Sequence, residues 1–133
     1  MFLSNFLIKN SLSSFKSFIW DSKLKRLKKV KSLKSINIDI LVGIDRQKKT
    51  LLNNTLNFAK GNFTNNALLW GSRGNGKSSL IKSIFVEVNK SYKNLKLVQL
   101  NKNDIFDIEL IYNKLGEYND YRFVIFIDDL SFE

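Results

Sequence analysis

The chain has 133 residues, 44% hydrophobic and 13% aromatic, the size and composition of one folded domain rather than of two domains or a disordered segment. It contains neither Cys nor His, which excludes a disulfide scaffold, thiol chemistry, His-ligated zinc and imidazole catalysis, and leaves chemistry to Asp, Glu, Lys, Ser and backbone amides. The net charge of +10 is uneven: residues 1–40 hold nine Lys/Arg against Asp21 and Asp39, whereas residues 41–133 hold thirteen against ten acids.

Residues 1–20 carry no acid and set Ile8, Leu12, Phe15 and Ile19 at helical spacing, which predicts an amphipathic helix. They match neither a secretory signal, for want of a long apolar core and cleavage site, nor an Arg-rich organellar presequence. No apolar run approaches the roughly 18 to 20 residues needed to cross a bilayer. From Asp21 to Lys34, Leu24, Leu27, Val30 and Leu33 recur every third residue, a spacing that suits neither helix nor strand, so this stretch reads as a basic connector. Arg26 is its one Arg, so bidentate recognition of phosphates or bases is poorly supported and a solvated charged face is the plain reading. Weak contact of residues 1–34 with nucleic acid or an acidic surface is the functional alternative. Ile36, Ile38, Ile40 and Val42 then alternate with a period of two up to Gly43.

A helix is predicted from Asp45, a suitable N-cap, to Lys60-Gly61, with Ile44, Lys48, Leu51, Leu52, Thr55, Leu56 and Ala59 on one face. Ala67–Trp70 is a short buried strand. A helix beginning near Gly76 aligns Leu80, Ile81, Ile84, Phe85 and Val88. There follow a strand at Leu95–Leu100, a helix over about Asp104–Leu115 and a strand at Phe123–Asp128. Strands and helices alternate, as in an α/β fold whose parallel sheet is flanked by helices and joined by right-handed crossovers.

Between the first of these strands and its helix, Gly71-Ser72-Arg73-Gly74-Asn75-Gly76-Lys77-Ser78 fits G-x-x-x-x-G-K-[ST], with Ser79 following. Gly71, Gly74 and Gly76 permit backbone conformations that turn successive N–H groups, Asn75 among them, toward a phosphate. Lys77 would neutralise the β- and γ-phosphates of ATP, and the Ser78 hydroxyl would be a ligand of Mg²⁺. A strand, a glycine loop and an amphipathic helix in that order are the context this motif requires.

Phe123–Ile127 ends in Asp128-Asp129, the pattern of a Walker B strand. In a parallel sheet Asp128 would arrive at the ligand end and orient Mg²⁺. Asp129, or else Glu133, is the candidate general base for an attacking water. The alternative reading is a strand-ending turn with solvated acids.

The stretches LVGIDRQKKTLLNNTLNFAKGNFTNNALLWGSRGNGKSSLIKS and YRFVIFIDDLSFE resemble a bacterial family of predicted AAA+ ATPases filed as domain of unknown function eight-fifteen. The likeness runs from about Leu41 to Glu133 and extends toward Phe18-Ile19-Trp20, with Asp128-Asp129-Leu130-Ser131-Phe132-Glu133 its most specific part. It implies a P-loop NTPase of AAA+ type, dependent on ATP and Mg²⁺, cytoplasmic, and a homo-oligomer when full length. By the same resemblance Leu41, Val42, Gly43 and Ile44 line the adenine pocket; the alternative is that they only pack the first helix. The domain division that follows is a basic N-terminal extension over residues 1–40 and the N-terminal half of an ATPase domain over 41–133.

AAA+ modules continue after Walker B with a sensor strand, an arginine finger and a helical lid, and none is found in this sequence. The sensor strand of that fold lies between the Walker A and Walker B strands, so two strand edges are expected to lack partners. A chain cut after Walker B explains this. Direct pairing of the two strands, as in the kinase and GTPase division of P-loop proteins, is the alternative. Three functions are thus expected: a Mg²⁺-dependent ATPase module incomplete as given, a nucleotide-binding module without turnover, or a nucleotide-switched binder of nucleic acid or membrane surface.

Overall fold

The computed structural model describes residues 11–33, 45–61, 66–71 and 77–128. Its strands are β1 (Ser17–Asp21), β2 (Arg26–Val30), β3 (Asn66–Gly71), β4 (Leu95–Leu100) and β5 (Arg122–Asp128). Its helices are α1 (Asp45–Lys60), α2 (Lys77–Asn89) and α3 (Ile108–Gly116), the last preceded by a 3₁₀ helix at Lys102–Asp107. The predicted period-two strand at 36–42 and the segment Leu41, Val42, Gly43 and Ile44 lie outside the described residues, as do residues 1–10.

The five strands form one sheet in the order β2-β1-β4-β5-β3. β1, β4, β5 and β3 are parallel, and β2 pairs antiparallel with β1. β5 lies between two parallel neighbours and must bury both faces, which is why its sequence is a continuous apolar run rather than an alternation. Phe123, Val124, Ile125, Phe126 and Ile127 are 0–4% exposed. Removing five such side chains from water contributes on the order of 10 kcal/mol of gross transfer free energy. Phe123, Ile125 and Ile127 pack on one face with Val98, Leu100, Ile111 and Leu115. Val124 and Phe126 pack on the other with Leu95, Leu97, Ile84, Phe85 and Val88.

The crossovers account for these layers. From β3 to β4 the chain steps over β5 in one direction through α2, and from β4 to β5 it steps back through α3. Right-handed connections running in opposite directions place their helices on opposite faces. Residues of α1 and α2 share one core cluster and those of α3 belong to the other. Asn89, 5% exposed, closes the α2–β4 turn by donating from Nδ2 to the Leu95 carbonyl at 2.8 Å.

Several expectations require correction. The basic connector is a hairpin: Ser17–Asp21 pairs with Arg26–Val30, and β1 also pairs with β4. The period of three came from a turn set between two strands. It leaves Leu24 59% exposed at the tip while Leu27 is buried with Phe18 and Trp20. Of the predicted N-terminal amphipathic helix, residues 1–10 lie outside the described residues and 11–14 are helical, but the chain beyond is a strand, in which buried Phe18 and Trp20 alternate with half-exposed Ile19. The helix expected at about Asp104–Leu115 is divided: a 3₁₀ helix over Lys102–Asp107, at whose start the Asp104 carboxylate accepts the Asn101 N–H at 2.8 Å, runs into α3 at Ile108. Finally, β3 and β5 are not left with unpaired facing edges. They pair directly from Asn66↔Phe123 to Gly71↔Asp128, the alternative left open by the sequence.

At the amino ends of the strands, cations are absorbed into packing. Lys96, 5% exposed, donates to the Phe15 carbonyl at 2.9 Å and lies 5.5 Å from the Tyr121 ring centre. Burial, with Lys16 and Lys93 nearby, holds its ammonium pKa below the ordinary lysine value. The Arg122 guanidinium donates from Nε to the Phe58 carbonyl and stacks 4.3 Å from that ring centre, tying the last turn of α1 to β5.

Because Phe18 is 1% exposed in the same cluster as Ile125, the hairpin is an integral part of the core. Phe18→Ala should lower the stability of the whole fold by about 3 to 5 kcal/mol in urea unfolding. A loss of under about 1 kcal/mol, the usual range for a surface position, would mean that the hairpin hangs on the sheet without supporting it.

Candidate functional site

Four parallel strands point their carboxyl ends the same way, and of the features singled out in the sequence Gly71, Lys77, Ser78 and Asp128 fall there. Gly71 is the last residue of β3, residues 72–76 connect, and Lys77 and Ser78 open α2, with Ser79 half-buried behind them. Asp128 ends β5 and is the register partner of Gly71. Adjacent strands lie about 4.8 Å apart, so the entrance to the glycine loop and the terminal acid are nearest neighbours. Gly74, Asn75 and Gly76 within the loop, and Asp129 and Glu133 beyond β5, lie outside the described residues.

The connections sharpen this placement. β3 hands the chain to α2 on one face, and β4 hands it to α3 on the other. In open parallel sheets the ligand crevice forms beyond the carboxyl ends, at the point where successive connections diverge to opposite faces. Here that point falls at the end of β5, between β3 and β4. A helix opening there also presents unpaired N–H groups and a partial positive charge. A cavity of about 240 Å³ lined by Glu117, Tyr118, Asn119, Asp120 and Tyr121 lies instead in the α3–β5 loop, at the opposite end of the sheet.

The carboxyl end also holds a side-chain lock that the sequence did not disclose. The Asp107 carboxylate accepts from Trp20 Nε1 at 3.1 Å and from Lys25 Nζ at 2.8 and 3.0 Å. It joins the hairpin to the turn after β4 across more than 80 positions, a distance at which no local pattern signals a contact. The contact supports Lys25 in a left-handed backbone conformation (φ 52°) that a non-glycine residue occupies at a cost of about 1 kcal/mol. Asp21 shapes the same turn by accepting the N–H groups of Lys23 and Leu24 at 3.0 and 3.1 Å. The Leu24 N–H in particular draws its pKa below the ordinary carboxylate value.

Together these features define an α/β protein in which a mostly parallel sheet, flanked by helices, brings a glycine-rich strand-to-helix connection beside a strand ending in acid. Such an arrangement is compatible with a P-loop NTPase. The chain belongs to the family described as Protein of unknown function (DUF815), whose family model matches residues 13–133. That match takes in the hairpin as well as the loop and the acidic strand. Comparison with curated proteins and with solved structures gives no match. Among the described residues no helix is long and apolar enough to cross a membrane.

The lock carries a pH signature. The hydrogen bond from Lys25, and secondarily that from Trp20, holds the Asp107 pKa below its ordinary value of 3.8. A carboxylate whose pKa is depressed on folding contributes stability above its unfolded pKa, and that contribution is lost as pH falls through the folded value. Asp107→Asn should therefore flatten the acid limb of the stability profile below about pH 4 and leave the neutral-pH slope unchanged. An unaltered acid limb in pH-dependent thermal melts would show that the contact carries no stability.

Proposed function

We propose that this protein binds ATP with Mg²⁺ at the carboxyl ends of β3 and β5, as the nucleotide-binding module of an AAA+-type ATPase. The observation that supports this reading is the Gly71↔Asp128 register: a loop of phosphate-binding sequence leaves one strand directly beside the acid that ends the next. Gly71, Gly74 and Gly76 let the loop backbone, including Asn75, turn its N–H groups toward the phosphates, reinforced by the first turn of α2 with Ser79. Lys77 supplies the mobile cation for the β- and γ-phosphates. Ser78 and Asp128 are oxygen donors suited to a hard cation. When bound, Mg²⁺ neutralises phosphate charge. Asp129, or alternatively Glu133, accepts the proton of the attacking water. Val42, Gly43 and Ile44 serve the adenine side on the strength of the family resemblance alone.

Lys77→Ala tests the assignment by isothermal titration calorimetry. ATP affinity should fall by at least about tenfold, since a hydrogen bond to a charged group is worth about 1.5 to 3 kcal/mol. Asp128→Asn should weaken the Mg²⁺ dependence of binding more than Glu133→Gln does. Unchanged affinity in a folded Lys77→Ala protein would remove the proposal, and the reverse carboxylate ranking would exchange the two roles.

A second reading, binding without turnover by the chain as it stands, is favoured by the position of its arginines. Transfer of a γ-phosphoryl group needs charge stabilisation on its outer side, where an arginine is worth about 10³ to 10⁵ in rate. Arg122 is engaged with Phe58 at the amino end of the sheet, and Arg26 stands on the far edge strand. Arg46 is exposed in the first turn of α1, and Arg73 belongs to the loop itself. Residues 1–133 should therefore bind ATP yet hydrolyse it at on the order of 10⁻³ s⁻¹ or below. Faster steady-state phosphate release that disappears in Lys77→Ala would overturn this second reading and leave the first intact.

A further inference from the structure

The hairpin gathers charge in a way that neither the core nor the nucleotide reading uses. Lys23, Arg26, Lys28 and Lys31 are all exposed along the turn and β2, and β2 is an edge of the sheet among the described residues. Two further cations are spent on structure: Lys25 on Asp107, and Lys29 over the Phe15 ring at 4.9 Å. Asp21, half-buried, is turned into the hairpin loop by the Lys23 and Leu24 N–H groups. A lysine on an edge strand commonly serves only to block strand addition. One or two suffice for that, whereas this row continues from the turn through the strand and past its end.

We propose that the β1–β2 hairpin is a docking edge for the phosphate backbone of duplex nucleic acid, bound without reading base sequence. Alternate residues of a strand lie about 6.8 Å apart, so Arg26 and Lys28 span two of the 3.4 Å axial charge intervals along one strand of a duplex. The shortage of arginine that argues against base readout is what backbone contact permits, since lysine meets phosphate as a point charge. An acidic bilayer fits less well. Interfacial binding grows with the apolar area inserted, and Phe18, Trp20 and Leu27 are committed to the core, leaving Leu24 at the hairpin tip, Ile19 on β1 and Phe106 beside Asp107 as scattered exposed apolar side chains rather than an apolar face along the charged row.

The test is fluorescence anisotropy of the full chain with a labelled mixed-sequence DNA duplex across a salt titration. Four phosphate contacts give a slope of log affinity on log salt near −3.6, or about a 10²-fold loss between 50 and 200 mM. The triple variant Arg26→Gln, Lys28→Gln, Lys31→Gln should reduce the slope to about −0.9. Removing the same charge at Lys49, Lys60 and Lys90, exposed on or just after helices α1 and α2, should leave it unchanged. Lys28→Gln alone, which makes the smallest demand on folding, should reduce it by about 0.9. Equal affinity for a second duplex of unrelated sequence supports backbone docking, and a strong preference between the two overturns it. An equal effect of the control triple, an unchanged slope in both hairpin variants, or binding to phosphatidylserine vesicles with none to DNA would each refute the proposal.

Discussion

The two-sided burial of β5 is the constraint on which the remaining structure depends. A strand flanked by parallel neighbours on both edges has no solvent face, so each residue from Phe123 to Ile127 must find an apolar partner above or below the sheet. α3 covers one face, in a cluster shared with side chains of the hairpin strands, and α1 and α2 cover the other. Neither layer is dispensable, because stripping either would return a row of Phe, Ile or Val side chains to water. The direct ladder with β3 follows from the same requirement, since a β5 with one bare edge would also leave peptide groups without partners.

This arrangement makes the two ends of the sheet chemically unlike. At the amino ends, cations are consumed by carbonyls and rings, as with Lys96 on Phe15 and Tyr121, and Arg122 on Phe58. At the carboxyl ends lie a glycine loop, a terminal acid and a turn braced by Asp107. Interior residues of β5 are fixed by packing, whereas Asp128 stands at the last position of the strand. An acid there is consistent with chemistry more readily than with stability.

Legibility in the sequence followed the range of the interactions involved. The β3, α2, β4 and β5 spans were readable because each is set by a local apolar pattern and by Gly or Asn punctuation. The glycine-rich connection after β3 and the acid that ends β5 stood out as local motifs in the same way. The hairpin was not: its lysines hide the alternation, and Phe18 and Trp20 become core residues only when β4 pairs beside them. The Trp20–Asp107–Lys25 lock joins positions more than 80 residues apart and has no sequence period at all. The choice between direct β3–β5 pairing and an intervening strand was equally non-local, since it depends on which apolar edges meet rather than on either strand alone.

That pairing bears on how an AAA+ arrangement would be reached. A sensor strand seated between β3 and β5 cannot simply be added, because the ladder from Asn66↔Phe123 to Gly71↔Asp128 already fills the position. It would have to exchange with that ladder, providing both its peptide groups and apolar side chains on each face to keep Val124 and Phe126 on one side, and Ile125 and Ile127 on the other, out of water. The exchange would also move Gly71 and Asp128 apart from adjacent strands to alternate ones, from about 4.8 Å to about 9.6 Å. A carboxylate that can reach a loop-bound cation directly in the first geometry would reach it through a water molecule in the second. In the proposed site, the spacing between β3 and β5 would thus set how Asp128 meets Mg²⁺, and it links the assembly of the sheet to the chemistry proposed at its end.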